Sequence, residues 1–194
     1  GDGSRDAPFP ELWMALGAYS YALCEDSPCI GTAAGGGTMG ALRGTPVPVP
    51  VVRDTTVFCA AGSYAVVRAD LGRRVTLIGA GAGATVLHGT VTGLRDGHAL
   101  EHATVTGSLN SGITVADAHD FAVRDVHIIE NSGTNGGGLS CRRSRGVVER
   151  CVFHNNAGTE SGGAAWLDET SEIAFTGCEF TRNWSRLGNG GAVC

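Results

Sequence analysis

From Phe121 onward the apolar positions fall into register with themselves. Three stretches align without a gap: Phe121 to Asn131, Gly146 to Asn156 and Ile173 to Asn183. Within them apolar residues share columns at alternating positions. Val123, Val148 and Phe175 form one column, Val126, Cys151 and Cys178 a second, and Ile128, Phe153 and Phe180 a third. Alternation of this kind predicts short strands with one buried face. Three residues after the third column stand Asn131, Asn156 and Asn183, and each repeat then runs into glycine: Gly136 to Gly138, Gly162-Gly163 and Gly190-Gly191. The Asn residues are 25 and 27 positions apart, and a weaker copy, Leu100 to Ser108, lies 23 upstream and sets Val105 below Ile128. A period of this length, with several short strands per unit, predicts a solenoid, because one rung alone cannot bury its inner face. At least four stacked rungs are expected from about residue 75 onward, with the variable spacing in the turn between the Gly pair and the next strand. The Leu-x-x-Leu-x-Leu frame of leucine-rich repeats is absent.

The earlier part of the chain reads differently. Leu12, Trp13, Leu16 and Tyr19 recur at roughly helical spacing after Pro8 and Pro10, which predicts a short amphipathic capping helix. Residues 31–50 are irregular, with three consecutive glycines and the alternating prolines Pro46, Pro48 and Pro50, which a central strand would not tolerate. The organisation expected is an N-terminal cap and irregular opening segment over 1–54, then β rungs over 55–194. The chain opens on Gly1 and stops at Cys194 within a repeat, so it is expected to be a piece of a longer protein whose rungs continue.

The same alignment arranges the charges. Asp120, Arg145 and Glu172 share a column, as do Arg124 and Glu149, Asp125 and Arg150, and Glu130, Asn155 and Arg182. Opposite charges on successive rungs are each worth only about 0–1 kcal/mol at the surface. Their expected value is in register, since a slip of one residue would mispair them. Gly supplies 31 of 194 residues without a G-X-Y period, which favours tight turns and excludes collagen. The formal charge of −5 and the shortness of the one basic run, Arg142-Arg143-Ser144-Arg145, argue against a nucleic-acid partner. No apolar run is long enough to span a bilayer, so no membrane insertion by this segment is expected. The chain holds seven Cys and no C-x-x-C pair, which removes zinc-ribbon and thioredoxin readings. Cys24 and Cys29 would close a short loop containing Pro28. We expect them to form a disulfide in an oxidising compartment.

Two motif pairs carry a resemblance. Phe153-His-Asn-Asn156 followed by Gly162-Gly163-Ala164-Ala165, and Phe180-Thr-Arg-Asn183 followed by Gly190-Gly191-Ala192-Val193, resemble the F-x-x-N and G-G-A-I motifs of polymorphic outer membrane proteins. Upstream, Asp2-Gly3-Ser4 with Pro8-Phe9 resembles the opening motif of pectin-lyase-like proteins. Phe58 to Tyr64 resembles their first strand, and Val75 to Gly79 with Thr85 to Gly89 their first full rung. The resemblance implies an all-β, right-handed parallel β-helix with a short N-terminal capping helix. It also implies an extracellular or outer-membrane-surface location and a role in adhesion or surface display.

Candidate chemistry is sparse. The Asn-Thr-Asp and Asp-Asp motifs of polygalacturonases are absent. By column position Glu130 and Glu179 read either as a carboxylate pair acting on a glycosidic bond or as the solvated ends of charged ladders. His127, Val152 and Glu179, then Ile129, His154 and Thr181, are the expected outward positions of one strand. His127 and His154 read either as acid–base groups or as ordinary exposed histidines. Trp166 and Trp184, each expected where a turn begins, read as binding residues that stack on sugar rings or anchor an interface, or as packing against the solenoid. Asn131, Asn156 and Asn183 read as structural, bonding backbone groups left open at a bend. Cys151 and Cys178 read as small inward hydrophobes or as a bridge. No cofactor and no metal ligand set is expected. Two function classes follow. One is a non-catalytic exported module that binds a polysaccharide or surface protein, with possible end-to-end contacts between β-helices. The alternative is a carbohydrate-active lyase or hydrolase whose catalytic residues lie outside the repeats.

Overall fold

The computed structural model describes residues 54–65, 74–188 and 190–194. The expected capping helix, the 1–54 segment apart from its last residue, and Cys24 and Cys29 lie outside them. Every strand among the described residues pairs in parallel with strands one turn away in sequence, and no helix occurs among those residues. The first layer contains β1 (Asp54–Cys59) and β2 (Gly62–Ala65), and the second β3 (Arg74–Gly79), β4 (Thr85–His88) and β5 (Val91–Leu94). The third contains β6 (Ala99–Glu101), β7 (Thr104–Thr106) and β8 (Ile113–Ala116). The next two turns have four strands each: β9 (His119–Arg124), β10 (His127–Ile129), β11 (Ser132–Asn135) and β12 (Leu139–Arg142), then β13 (Arg145–Glu149), β14 (Val152–His154), β15 (Ala157–Ser161) and β16 (Ala165–Leu167). The last comprises β17 (Glu172–Thr176), β18 (Glu179–Thr181), β19 (Trp184–Ser185) and a bridge at Val193.

Stacking produces four sheets. The first runs β1-β3-β6-β9-β13-β17, the second β2-β4-β7-β10-β14-β18, the third β11-β15-β19 and the fourth β5-β8-β12-β16. The expected columns are in register: Val123 with Val148 and Phe175, and Val105 with Ile128, Phe153 and Phe180. Val123, Val148, Val105, Ile128 and Phe153 are fully buried. The Phe153 and Phe180 rings stack at 4.9 Å, and Phe175 meets both edge-on. Because like sits over like, each side chain is enclosed by the turns on either side.

The corners explain how so short a strand can turn. After the first sheet the chain bends at His102, Asp125, Arg150 and Gly177, with φ of 53°, 52°, 50° and 62°. After the second it bends at Gly107, Glu130, Asn155 and Arg182, with φ of 70°, 55°, 53° and 54°. The left-handed region costs a non-glycine residue roughly 1–2 kcal/mol. The return is continuity of the ladder: Asp125 N–H donates to Glu149 O at 3.0 Å, and Arg150 N–H to Thr176 O at 2.8 Å. The column of Glu130, Asn155 and Arg182 is thus a backbone position rather than a charge ladder.

Behind the second corner runs the asparagine column. Asn156 is fully buried. Its Nδ2 donates to Ile128 O at 2.8 Å, and its Oδ1 accepts from Asn131 N–H at 3.1 Å. Asn131 and Asn183 repeat this with Val105 O and Phe153 O, at 3.0 and 2.9 Å. The amides also bond to one another, at 3.2 Å and 3.0 Å.

Two expectations need correction. The variable spacing lies mainly before the Gly pair, in the excursion made by β11, β15 and β19. From the second sheet to the fourth, Val105 to Ile113 is eight residues, Ile128 to Leu139 eleven and Phe153 to Ala165 twelve. From there to Val123, Val148 and Phe175 is ten, nine and ten. The Gly pair brings the excursion back against its neighbours. A Cβ on Gly137 would collide with the backbone of Ala157, and one on Gly163 with that of Trp184. Second, Asp120 is not opposite Arg145. Arg145 pairs with His119, and Asp120 bulges out with φ 63° before Gly146 pairs with Phe121. A bulged residue adds one position that an ungapped alignment cannot see.

Candidate functional site

Trp166 is the middle residue of β16, and alternation turns it outward, in register with Ser140 on β12 and Thr114 on β8. It is half-buried, because Arg142 from the turn below lies over it with the guanidinium carbon 6.0 Å from the ring centroid. Beyond Leu167 the chain turns through Asp168 to Ser171. Asp168 nucleates this turn: its Oδ1 accepts from Thr170 N–H at 3.2 Å, Thr170 Oγ1 at 3.1 Å and Ser171 Oγ at 2.6 Å. Both of its oxygens also accept from Arg143 N–H, at 3.0 and 2.9 Å. The Arg143 fork grips Asp117 at 2.6 and 2.8 Å. Trp166, Leu167, Asp168, Glu169, Thr170 and Arg143 line an open notch beside the ring.

The notch's electrostatics separate spent from free groups. The guanidinium of Arg143 holds the Asp117 carboxyl below its ordinary range. The Ser171 hydroxyl, with the Arg143 and Thr170 bonds, does the same for Asp168. Glu169 is exposed and forms no ion pair among the described residues, and neither does Arg142. What the notch offers is part of the Trp166 indole, the open Glu169 carboxylate and a threonine hydroxyl. A second concavity, on the first sheet, is lined by His119, Arg145, Gly146, Val147, Glu172 and Ala174. There Arg145 pairs with Glu172 at 2.9 Å and Asp96 accepts from the backbone N–H of His119, while Asp120, also on its wall, is exposed and forms no ion pair among the described residues.

A family model described as a right handed beta helix region matches residues 78–193, more than half of the chain. This chain is a right-handed β-helix protein. No curated protein and no solved structure matches it.

On the β-helix the other candidates are dispersed. His127 and Glu179 occupy one outward column of the second sheet with Val152 between them, so two rungs, about 9.6 Å along the axis, separate them. His154 is in the next outward column, and its Nδ1 lies 2.8 Å from Thr181 Oγ1. This hydroxyl–imidazole contact sits on an open sheet face. Glu130 is at a corner two turns below Glu179, so the structure does not bring these carboxylates together. Trp166 lies within a strand rather than at a turn. Trp184 opens β19, in register with Ala157, and is 51% exposed. Cys151 and Cys178 are free thiols, whose sulfurs donate to Val123 O at 3.5 Å and Val148 O at 3.3 Å. Burial pushes the Cys151 and Cys141 thiols up to about 12 and Cys59 to about 11. Among the described residues no group of three or more His, Cys, Asp or Glu could hold a metal ion. Sequence reasoning missed Arg142, Glu169 and Thr170. The one signal was the basic run, whose three arginines the fold sends to three different partners: Trp166, Asp117 and Glu172.

Proposed function

We propose that this β-helix is a non-catalytic exported or cell-surface module for adhesion or surface display, of the polymorphic outer membrane protein type, that recognises a polysaccharide or surface protein. One observation carries the reading: four arginines of the repeat tie carboxylates from turn to turn. Arg124 bridges Glu101 at 3.0 Å and Glu149 at 2.8 Å, Arg150 holds Asp125 at 2.7 Å, and Arg143 and Arg145 hold Asp117 and Glu172. A carboxylate committed to a guanidinium is a poor general acid, because its proton is held too weakly near neutral pH. The repeats thus present a rigid, periodic surface on which side chains serve register and recognition. The experiment is paired. The protein is incubated with a panel of polysaccharides and with bacterial and host cells, scoring retention and newly formed reducing or unsaturated ends. Retention without product is expected. Time-dependent product that a single side-chain substitution abolishes would overturn the reading.

A further inference from the structure

The notch at Trp166 has a chemistry that selects its ligand, and this inference rests on the reading of the β-helix as a recognition module. We propose that it is a subsite for a neutral sugar ring, whose apolar C–H face lies on the open part of the indole and whose hydroxyls donate to Glu169.

Charge decides between ligand classes. A cation is disfavoured at this ring because Arg142 already lies over the indole, 6.0 Å from its centroid, and Arg143 forms the neighbouring wall. An anion is disfavoured from the other side, where the Asp168 and Glu169 carboxylates line the notch. Asp168 is largely committed: its Oδ1 accepts from Arg143, Thr170 and Ser171, and its Oδ2 shares the Arg143 N–H. Glu169 is the notch carboxylate with no bond at all among the described residues, and an uncharged, donor-rich ligand is the class that uses it without meeting a like charge. An aromatic plate beside a carboxylate acceptor suits a pyranose, which has one apolar face and a rim of hydroxyl donors. Placement supports this too. Trp166 is fixed by β-pairing on both of its neighbours, and the floor beside it is a hydrogen-bonded turn, so little ordering is needed on binding. Trp184 is more exposed and opens a strand in register with Ala157.

The test uses the 194-residue chain on an array of neutral, uronate-bearing and sulfated glycans, with a lysine-rich peptide as the cationic probe. Saturation-transfer NMR with the methyl glycoside of the best neutral hit then localises the contact. Binding of neutral glycans is expected. Trp166→Ala should weaken it by about tenfold or more, the value of one lost aromatic stack. Glu169→Gln should weaken it less, and Leu109→Ser, at an exposed residue outside the notch, should leave it unchanged. Circular dichroism melts establish that each variant is folded. If Trp166→Ala melts early, Trp166→Phe replaces it and should bind more weakly than wild type. Preference for uronate, sulfated or cationic probes, absence of neutral-glycan binding, or equal binding by folded Trp166 variants would overturn the proposal. Those outcomes are distinct from failure of the module reading, which enzymatic turnover of a polysaccharide would signal.

Discussion

Replacing Asn156 with alanine removes the middle of the asparagine column and nothing else of size. The side chain is fully buried and makes four bonds: Nδ2 to Ile128 O and to Asn183 Oδ1, and Oδ1 from Asn131 N–H and Asn131 Nδ2. Truncation leaves two buried backbone groups, Asn131 N–H and Ile128 C=O, without these partners. Each stranded group costs about 1–3 kcal/mol, so the expected loss is about 2–6 kcal/mol. Asn183→Ala strands the equivalent Asn156 N–H and Phe153 C=O, but Asn183 is half-exposed and water can reach the gap. About half the loss is expected there. Asn156→Asp is a further control, because a carboxylate still accepts from Asn131 but cannot donate to Ile128. The assay is urea unfolding followed by far-UV circular dichroism, comparing midpoints at constant slope. A loss below about 1 kcal/mol for Asn156→Ala, or a larger loss at Asn183, would refute the claim that the column satisfies the corners.

Other outcomes follow from the same structure. Phe153→Ala, which removes a fully buried ring stacked on Phe180, should lower stability by about 3–5 kcal/mol in the same assay. The Asp117, Asp125 and Asp168 carboxyls are held below their ordinary range in the folded chain, the first two by guanidinium bonds and the third by the Ser171 hydroxyl. Their stabilisation is therefore complete above the unfolded carboxylate value and is lost as pH falls through the folded values. The urea midpoint should be flat from about pH 7 to pH 5 and fall below about pH 4, and a midpoint that rises on acidification would contradict this. Alkylation of the native chain at mildly alkaline pH should label exposed Cys194 first and half-buried Cys178 more slowly, and spare Cys59, Cys141 and Cys151 until denaturant is added. Unreduced peptide mapping of the same sample is expected to show Cys24 joined to Cys29, and two labelled thiols there would remove that bridge.

Much of the fold was legible because inward residues repeat without gaps where it matters. The step is five residues from Leu100 to Val105, Val123 to Ile128, Val148 to Phe153 and Phe175 to Phe180, so those columns could be read directly, whereas the equivalent step from Leu77 to Leu87 is ten and the earlier turns could not. What resisted reading was backbone conformation. Asp120 in a bulge and Arg150 at a left-handed corner look, in sequence, like strand residues, and the corner column mixes His, Asp, Arg and Gly. The role of the Gly pair was equally hidden, since close approach to Ala157 and Trp184 depends on a neighbouring turn. The candidate site was half legible. Trp166 stood out by type, but its notch is assembled from a turn after β16 and from Arg142 and Arg143, about 25 positions earlier. Only the rung offset joins them, and the basic run seemed too short to be informative.

The bonds of the asparagine column join residues 23 to 30 positions apart. The arginine ladders fall within the same interval. Closing such a loop costs nearly the same entropy at every turn, because the cost grows only with the logarithm of loop length. For these bonds, then, no step in assembly waits for a distant part of the chain, and each new turn finds its template in the one just laid down. A chain delivered end-first through a narrow opening can therefore fold at the rate it arrives, and each added turn, by satisfying the amide and carbonyl groups of the last, disfavours its return.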